Sequence, residues 1–479
     1  MNIFKVLSEQ EVKKLHSTSL EILNTIGLKI HSEKARKVLE EAGATVDHKT
    51  RLVRFPPHLV DESIKRAPRR VIYGARNPKY DLVLEPGGNT YSRPITGAEG
   101  YIDLETGKYR LAKMSDVKDW VRLVDALDNI SYCTLPYPSD VDPDTRDFRL
   151  MPVALENTEK HIELQPYGGE AMEVMVELAL AVMGSQEELK RRPILTVLTS
   201  ILSPLQLPEY ATDVLFAAGK HGIPVEINSM AIAGGTAPVT VAGVTLVSHT
   251  EVLAGIVVAE ILNPGAPVVY RPLPMVMDMA SGLALEGTVE NAMMAAAQVQ
   301  LIRETCGIPT NMFGQIGDGL ITDGQSMIER VFNTLLPALA GANIVSGAGS
   351  LEHVYTIDPV QLVIDDEILG MTYRMLRGFE ISDDTLGLDA LARVGPGGNF
   401  LTDKHTLKYF KTEYFRPHIF NWKTREKWQS EGEKDLNENA RQRAKTILRE
   451  HKPSPLAEDI VKELDSIIKR IEKTYVLKK

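Results

Sequence analysis

Tyrosine, arginine, histidine and amide side chains stand at the ends of several apolar segments of this sequence. Tyrosine rings attract quaternary ammonium groups through cation–π contacts worth about 0.5–2 kcal/mol each. Arginine can bind a carboxylate through two parallel hydrogen bonds, and a histidine suits the same group. These residue types together predict a site for a small zwitterion. The set comprises Tyr91, Arg93, Tyr137, Gln165, Tyr167, Ser203, Asn228, Arg271, Gln315, Asp318, Glu352, His353 and Tyr355.

Other kinds of site have less support in the sequence. No histidines or cysteines share a strand end in a zinc-ligand spacing, and Asp278 and Asp318 lack a third carboxylate that would complete a site for a hard cation. No lysine stands where a Schiff base would form. The glycine-rich segments 314–319 and 395–399 lack the Walker lysine, so we interpret them as turns. We therefore predict no metal. Each tyrosine taken alone could serve only packing, and Arg271 could belong to a buried structural ion pair.

Eight strand–helix units are predicted to position these side chains. Apolar runs of β-type composition alternate with amphipathic helical patterns, which indicates a parallel α/β sheet. The strand runs are 90–97, 131–138, 161–168, 193–200, 224–232, 267–274, 309–315 and 343–350. The helical patterns are 115–127, with Ser115 as N-cap, then 144–158, 170–184, 208–221, 249–262, 287–304, 324–340 and 358–380. Eight such units predict a (β/α)8 TIM barrel, whose active site lies at the carboxyl ends of the strands.

The chain is predicted to have three parts. Residues 1–88 form an N-terminal α+β appendage without visible chemistry, residues 89–394 the barrel, and residues 395–479 a C-terminal helical extension. Aromatic residues cluster at 409–428 in this extension. This cluster either packs as core on the barrel or forms an interface with a second subunit, and we predict a homo-oligomer.

Composition restricts the class of protein. A formal net charge of −10 disfavours a nucleic-acid partner, which would favour a basic surface. The two cysteines, Cys133 and Cys306, are too few for a disulfide framework. No apolar run has the roughly 18 residues of a membrane span, and the amino terminus lacks a signal-peptide pattern. The sequence therefore predicts a cytoplasmic protein without a membrane partner.

Several long segments resemble one known family. They are TGKYRLAKMSDVKDWVRLVDALDNI (106–130), SDVDPDTRDF (139–148), RPILTVLTSILSPLQL (192–207), GGTAPVTVAGVTLVSHTEVLAGIVVAEILNPGAPVVY (234–270) and LPALAGANIVSGAGSLE (336–352). The tail segments FRPHIFNW (415–422) and EKWQSEGEKDLNENARQRAKTIL (426–448) are similar too. On these segments the chain resembles the trimethylamine methyltransferase superfamily, in its branch without pyrrolysine, which includes glycine betaine:corrinoid methyltransferases.

This resemblance implies a (β/α)8 barrel that moves a methyl group from a methylated amine to the cobalt(I) of a corrinoid protein. The corrinoid is then carried by the partner, and no cofactor is tightly bound. Archaeal members read an amber codon as pyrrolysine, whereas this sequence has only standard residues. Family members without pyrrolysine are associated with quaternary amines such as glycine betaine, proline betaine and carnitine. Among the strand-end residues, we predict catalytic roles for Gln315, Glu352 and His353. The tyrosines and Gln315 would face the trimethylammonium group, and His353 and Arg271 the carboxylate.

Three alternatives stay open from the sequence. The protein could be a methyltransferase for another methylated donor, or a barrel that binds methylated amines without turnover. A flavin- or phosphate-binding oxidoreductase barrel is the third.

Overall fold

Helices and strands alternate along most of the chain in the computed structural model, which describes residues 4–476. The helices are α1 (Glu9–Thr25), α2 (Glu33–Glu41), α3 (Pro57–Arg66), α4 (Met114–Ala126), α5 (Pro143–Asn157), α6 (Gly169–Met183), α7 (Gln186–Arg191), α8 (Glu209–His221), α9 (Val241–Leu262), α10 (Val289–Thr305), α11 (Gly324–Ala340), α12 (Pro359–Arg377), α13 (Asp383–Leu386), α14 (Leu388–Val394), α15 (Lys404–Tyr409), α16 (Arg425–Ser430), α17 (Leu436–Glu450) and α18 (Glu458–Val476), with a 3₁₀ turn at Pro78–Tyr80.

The strands are short. They are β1 (Leu28–Ile30), β2 (Thr45–Asp47), β3 (Leu52–Arg54), β4 (Val71–Tyr73), β5 (Leu82–Leu84), β6 (Tyr91–Pro94), β7 (Gly100–Ile102), β8 (Tyr109–Leu111), β9 (Ile162–Leu164), β10 (Leu195–Ile201), β11 (Gln206–Leu207), β12 (Val225–Ser229), β13 (Ile232–Ala233), β14 (Val268–Pro272), β15 (Met275–Met277), β16 (Ala284–Leu285), β17 (Asn311–Phe313), β18 (Ile344–Ala348), β19 (Ser350–Leu351) and β20 (Thr356–Ile357).

Parallel strands form the centre of the fold. Strands β9, β10, β12 and β14 are hydrogen-bonded in that order, and β17, β18 and β6 form a second parallel set. A parallel bridge between Tyr270 and Thr310 joins β14 to the start of β17. At the other edge Cys133 bridges Ile162 of β9, while the Ser131 N–H donates to the Ser92 carbonyl of β6. The predicted α/β class is confirmed.

Seven of the eight predicted strand runs contain a parallel strand, but run 131–138 contributes only the bridge at Cys133. Pro136 and Pro138 have no N–H to donate, which explains why the ladder does not extend there. Two helix boundaries also differ from the prediction. Helix α9 begins at Val241 rather than near 249, and Ser115 lies inside α4, whose N-cap is Lys113.

The N-terminal part closes the amino ends of the parallel strands. The antiparallel hairpin of β4 and β5 buries Val71, Tyr73, Leu82 and Leu84 against Tyr132, Val269 and Ile344, which all lie near strand starts. Strand β1 also pairs with β11, a short strand in the loop after β10. The predicted N-terminal part therefore packs directly on the parallel strands, and its boundary at residue 88 stays a prediction.

Two small sheets lie in the loops that follow the parallel strands. Strands β13, β15 and β16 form one, and β19, β20, β7 and β8 form the other. The β7–β8 hairpin turns at Gly107, which has φ 69°. These loop sheets fix the backbone that carries the candidate site residues.

The prediction that no apolar run reaches the length of a membrane span is wrong for helix α9. By length and composition this helix could cross a membrane, with a mean hydropathy of 1.7 in its most apolar window. Most of that window is buried inside the protein, where α9 packs against α1, α3 and α8. Its composition is thus that of a central core helix. The cytoplasmic location stays a prediction from the sequence.

The C-terminal part packs against α12, the last helix of the strand–helix series. Phe415 lies against Gly370 of α12, and Ile419 is buried. By contrast Phe410, Tyr414 and Trp422 are exposed. The aromatic cluster is therefore only partly core within one chain, and an interface with a second subunit stays the alternative.

Candidate active site

Four charged side chains meet between the inner faces of the parallel strands. Arg93 on β6 lies 3.1 Å from Glu163 on β9, measured from Nε to Oε2. Arg271 on β14 lies 3.2 Å from Glu226 on β12 and 3.6 Å from Glu163. Because all four side chains are at most 3% exposed, water cannot screen their charges. We call Arg93, Glu163, Glu226 and Arg271 the charged cluster.

Neutral donors complete the charged cluster. The hydroxyls of Tyr73 and Tyr132 donate to Glu226 Oε1 at 2.9 and 3.1 Å, and Asn311 Nδ2 donates to Glu226 Oε2 at 2.7 Å. Burial opposes the ionisation of Glu163, but Arg93 and Arg271 outweigh it and lower the pKa of that carboxyl. Burial, followed by repulsion from Glu163, raises the pKa of Glu226. Tyr73 comes from the N-terminal hairpin, so that part of the chain contributes to this cluster.

Unpartnered polar atoms lie next to the charged cluster. Asn228 is the direct cross-strand neighbour of Arg271 and donates to Ser200 Oγ at 3.0 Å. Its Oδ1 and the Nε of Arg271 are buried without a hydrogen-bond partner among residues 4–476. Buried polar atoms are normally satisfied, because leaving one unpaired costs about 1–3 kcal/mol. These two atoms are therefore available to hydrogen-bond a polar ligand.

A histidine is fixed by an aspartate in the loops beyond the strands. His353 Nδ1 lies 2.8 Å from Asp318 Oδ1. A carboxylate accepts only, so Nδ1 carries the proton and a neutral His353 keeps Nε2 as an acceptor. Asp318 is itself held by the N–H groups of Glu286 and Gly287, both at 2.9 Å. The loop of His353 is unusual, because Glu352, His353 and Val354 all have φ between 52° and 65°.

Glu286 is a buried carboxyl beside this aspartate. It is 3% exposed, and its Oε2 has no partner in the described part of the chain. Burial and then the charge of Asp318 raise its pKa to about 8. Glu286 therefore holds a proton at neutral pH.

The raised pKa of Glu286 predicts a specific pH dependence of stability. The unfolded chain ionises this group from about pH 4.3 upward, whereas the folded protein keeps the proton until about pH 8. Folded stability contributed by Glu286 is thus complete below pH 4.3 and is lost as pH rises towards 8, by at most about 1.4 kcal/mol per pH unit. We expect Glu286→Gln to remove this loss, so the variant gains stability over the wild type through that window.

Urea unfolding at pH 5.5, 7.0 and 8.5 measures the effect. The informative quantity is how the difference in unfolding free energy between variant and wild type changes with pH. A packing defect would change that difference equally at all three pH values. Glu458→Gln is the matched control, because that carboxyl is 94% exposed and its difference should not change with pH. A flat difference for Glu286→Gln would show that Glu286 ionises normally in the folded protein.

A third group of site residues surrounds Tyr137. The guanidinium of Arg146 lies on the Tyr137 ring, 3.7 Å from its centre. Burial and then the nearby Tyr167 raise the pKa of Tyr137. The backbone carbonyl of Tyr355 accepts from the N–H groups of Glu99 and Gly100, which brings the exposed Tyr355 into the same region. Three predicted tyrosines thus lie near one another at the carboxyl ends of the strands.

Several predicted site residues lie elsewhere. Tyr91 is at the amino end of β6, where its hydroxyl accepts from the Val83 N–H, so it faces away from the loop end. Gln315 directs its Nε2 to the Asp365 carbonyl on α12, at 2.7 Å. Ser203 donates to the Glu251 carboxylate.

Two others have local roles or few contacts. Glu352 accepts from Thr356 within its own loop, at 2.7 Å. Gln165 is half-buried directly after β9.

The sequence reasoning missed Glu163, Glu226, Glu286 and Arg146. Glu163 and Glu226 had a usable signal, since each is a lone carboxylate inside an apolar strand run and must therefore be paired. Asp278 and Asp318 do not converge on a cation, because Asp278 caps its own turn by accepting from Ala280 and Ser281. No group of three potential metal ligands is found within residues 4–476.

Comparison with known proteins identifies the family. A family model described as trimethylamine methyltransferase (MTTB) matches residues 1–475. The chain belongs to this family. The predicted resemblance is therefore confirmed, and the family's members are methylamine methyltransferases, which supports an enzyme of that class.

Two relatives indicate the range of donors in the family. Trimethylamine methyltransferase MttB of Desulfitobacterium hafniense (strain DSM 10664 / DCB-2) is 35% identical over 472 residues, which are 98% of this chain and 94% of that protein. A glycine betaine methyltransferase of Desulfitobacterium hafniense (strain Y51) is 31% identical over 468 residues, 97% of this chain and 96% of that protein.

A solved structure of similar fold supports the architecture. The monomethylamine methyltransferase MtmB of Methanosarcina barkeri aligns with a TM-score of 0.51 over 97% of this chain and 92% of that one. At 14% sequence identity this likeness concerns the fold alone.

Proposed function

We propose that this protein transfers a methyl group from glycine betaine to the cobalt(I) of a corrinoid protein. The electron pair of cobalt(I) attacks the methyl carbon, and the carbon–nitrogen bond breaks with its pair going to nitrogen. Dimethylglycine leaves as a neutral tertiary amine, and the methyl group stays on cobalt. The corrinoid is a substrate carried by the partner, and this chain needs no bound cofactor of its own.

We also infer that the eight strand segments close a (β/α)8 barrel. The parallel bridge at Tyr270 and the hydrogen bond from Ser131 to Ser92 support closure, because they join the two parallel sets at both edges. In such a barrel the loops with Tyr137, Asp318 and His353 surround the mouth. The charged cluster then fills the interior below them.

The main evidence that the donor has a carboxylate is a pair of buried atoms without hydrogen-bond partners, Arg271 Nε and Asn228 Oδ1. A donor carboxylate would accept from the arginine N–H, and a water bound to it would donate to the asparagine oxygen. Trimethylamine has no group that could do this. The fixed His353 ring supplies a second polar contact, which can donate when its Nε2 is protonated.

The chemistry explains why the site needs few special groups. A quaternary nitrogen departs without a proton, so neither a general acid nor a metal is required. The residues must instead desolvate the cation and align one methyl group with the incoming cobalt, so positioning and electrostatics supply the rate. This agrees with a site made of aromatic rings, arginines and one oriented histidine.

The corrinoid partner would approach from the loop end. Leu202, Met230, Leu320 and Tyr355 follow parallel strands, and each is at least 38% exposed. Exposed apolar residues grouped around a site are typical of a protein interface. The predicted homo-oligomer stays a separate prediction.

We expect His353→Ala to raise the KM for glycine betaine by about 10- to 100-fold, which corresponds to one hydrogen bond to a charged group. The KM for a donor without a carboxylate should change little, because that donor makes no such contact. Steady-state methyl transfer measures both values. His405→Ala is the control, since that histidine lies in α15 and contacts the Asp384 carbonyl. An unchanged KM would remove His353 from the site.

Mass-spectrometric detection of dimethylglycine tests the function itself. The protein is mixed with glycine betaine and chemically reduced cobalamin, or with the cognate corrinoid protein, beside parallel samples of proline betaine, carnitine and trimethylamine. Dimethylglycine with methylcobalamin in equal amount supports the proposal, and turnover of another donor alone would replace glycine betaine by that donor. No turnover with any donor and the cognate partner would favour the alternative, a barrel that only binds methylated amines.

A further inference from the structure

Arg146 is a poorly paired cation in the candidate site. It lies on α5, and its side chain is 15% exposed. Its ion-pair partner is Glu99, whose Oε1 is 3.8 Å from Nη1 and whose side chain is 65% exposed. The Nε of Arg146 is buried without a hydrogen-bond partner among the described residues. So long and solvated an ion pair contributes little, and the guanidinium keeps unused hydrogen-bonding capacity.

The Tyr137 ring beneath Arg146 is held in place by the loops around it. The N–H of Tyr137 donates to the Ala98 carbonyl at 2.8 Å, and the N–H of Gly97 donates to Leu135 at 2.9 Å. These bonds fix Tyr137 between the loops that follow β6 and the segment at Cys133. An added Cβ at Gly97 would stand only 3.3 Å from the ring, so the loop closes over that side of it. Arg146 covers one face of the ring, and this face becomes accessible to a ligand when the guanidinium moves away.

Two cations cannot share this ring face without repulsion. A quaternary ammonium that takes the face must displace Arg146 by a few ångströms. A displaced guanidinium with a free Nε–H suits a carboxylate that arrives on the same molecule. A donor with both charges therefore replaces the contact it removes, whereas a simple cation leaves Arg146 unpaired.

We propose that Arg146 is a specificity-determining residue that selects zwitterionic donors over simple ammonium ions. In the free protein its guanidinium occupies the Tyr137 ring. When a donor binds, the trimethylammonium group takes the ring, and the donor carboxylate accepts from Arg146 with one oxygen and from Arg271 with the other. This inference rests on the proposed function for the choice of donor, but the selection itself is a property of binding.

Calorimetric titration of the whole protein with glycine betaine and with tetramethylammonium chloride tests the inference. We expect Arg146→Ala to weaken glycine betaine binding about tenfold or more, since one charge-assisted hydrogen bond is lost. The same variant should bind tetramethylammonium several-fold more tightly, because the ring face is now free. Arg146→Lys keeps the charge but not the planar fork. Its affinity for each ligand should therefore lie between that of the wild type and that of Arg146→Ala.

The opposite signs make the test decisive. A general distortion of the site would weaken both ligands together, and a purely structural arginine would leave both unchanged. Either result overturns the inference, as does wild-type protein that binds neither ligand. Arg393→Ala is the control, because that arginine pairs with Asp403 in the C-terminal part.

Methyl-transfer assays on the same samples separate the two proposals. Opposite shifts in binding without any turnover would retain the role of Arg146 and reject the proposed function. If glycine betaine is turned over but Arg146→Ala changes the affinity for both ligands in the same direction, the proposed function stands and the role of Arg146 is rejected.

Discussion

Arg271→Met should lower the free energy of unfolding by about 3–5 kcal/mol, the usual cost of leaving a buried charge without its partner. Arg271 lies between Glu163 and Glu226, and these carboxylates would then repel each other with only Arg93 to balance them. Methionine has a comparable length and fills most of the space, so the loss reports charge more than volume. Urea unfolding at pH 7 measures it.

A compensating variant isolates the electrostatic origin. Arg271→Met combined with Glu226→Gln removes one charge of each sign, so we expect much of the lost stability to return. Strictly additive losses would mean that the two side chains act through packing alone. Lys445→Met is the surface control, because its partner Glu105 is 73% exposed and such a solvated pair should contribute less than about 1 kcal/mol.

Gly349→Ala should cost about 3 kcal/mol of unfolding free energy. Gly349 has φ +74°, a conformation that costs an L-residue about 1–2 kcal/mol. An added Cβ would also stand 2.4 Å from Cη2 of Trp120. Trp120 is fully buried and cannot retreat, and overpacking of this kind costs about 1–3 kcal/mol more. Thermal and urea unfolding measure the sum.

Gly282→Ala separates the two contributions. Gly282 has nearly the same φ, +77°, but nothing lies within 4 Å of its added Cβ. We therefore expect it to show only the backbone cost. Equal losses in the two variants would contradict a role for the Trp120 contact. Because Gly349 precedes His353 and donates its N–H to Asp365 at 2.7 Å, the first variant should also raise the KM for glycine betaine.

The alternation of strands and helices could be predicted from the sequence because it depends on the composition of short segments. Runs such as 224–232 and 267–274 are mostly apolar, and their ends lie within one to three residues of those of β12 and β14. Their parallel pairing follows from the helices between them. The segment at 131–138 was less readable, since its composition suggests a strand while its prolines prevent a ladder.

The site was only partly readable, since a strand's end does not fix where each side chain points. Arg93, Asn228 and Arg271 were predicted and lie together, because Asn228 and Arg271 are cross-strand neighbours and Arg93 and Arg271 share Glu163. Gln315 was predicted by the same rule and turns to α12 instead. Tyr91 was assigned to the loop end of its strand and lies at the other.

The sequence alone determined the family, the α/β class and the residue types available to the site, because composition and the order of apolar runs are properties of the chain itself. Tertiary structure decided which charges meet. Glu163 and Glu226 are 63 positions apart and become partners of the same arginine only because β9, β10 and β12 pair in parallel. It also set Arg146 on Tyr137 and Asp318 on His353. Contacts between distant segments depend on packing that no local pattern records.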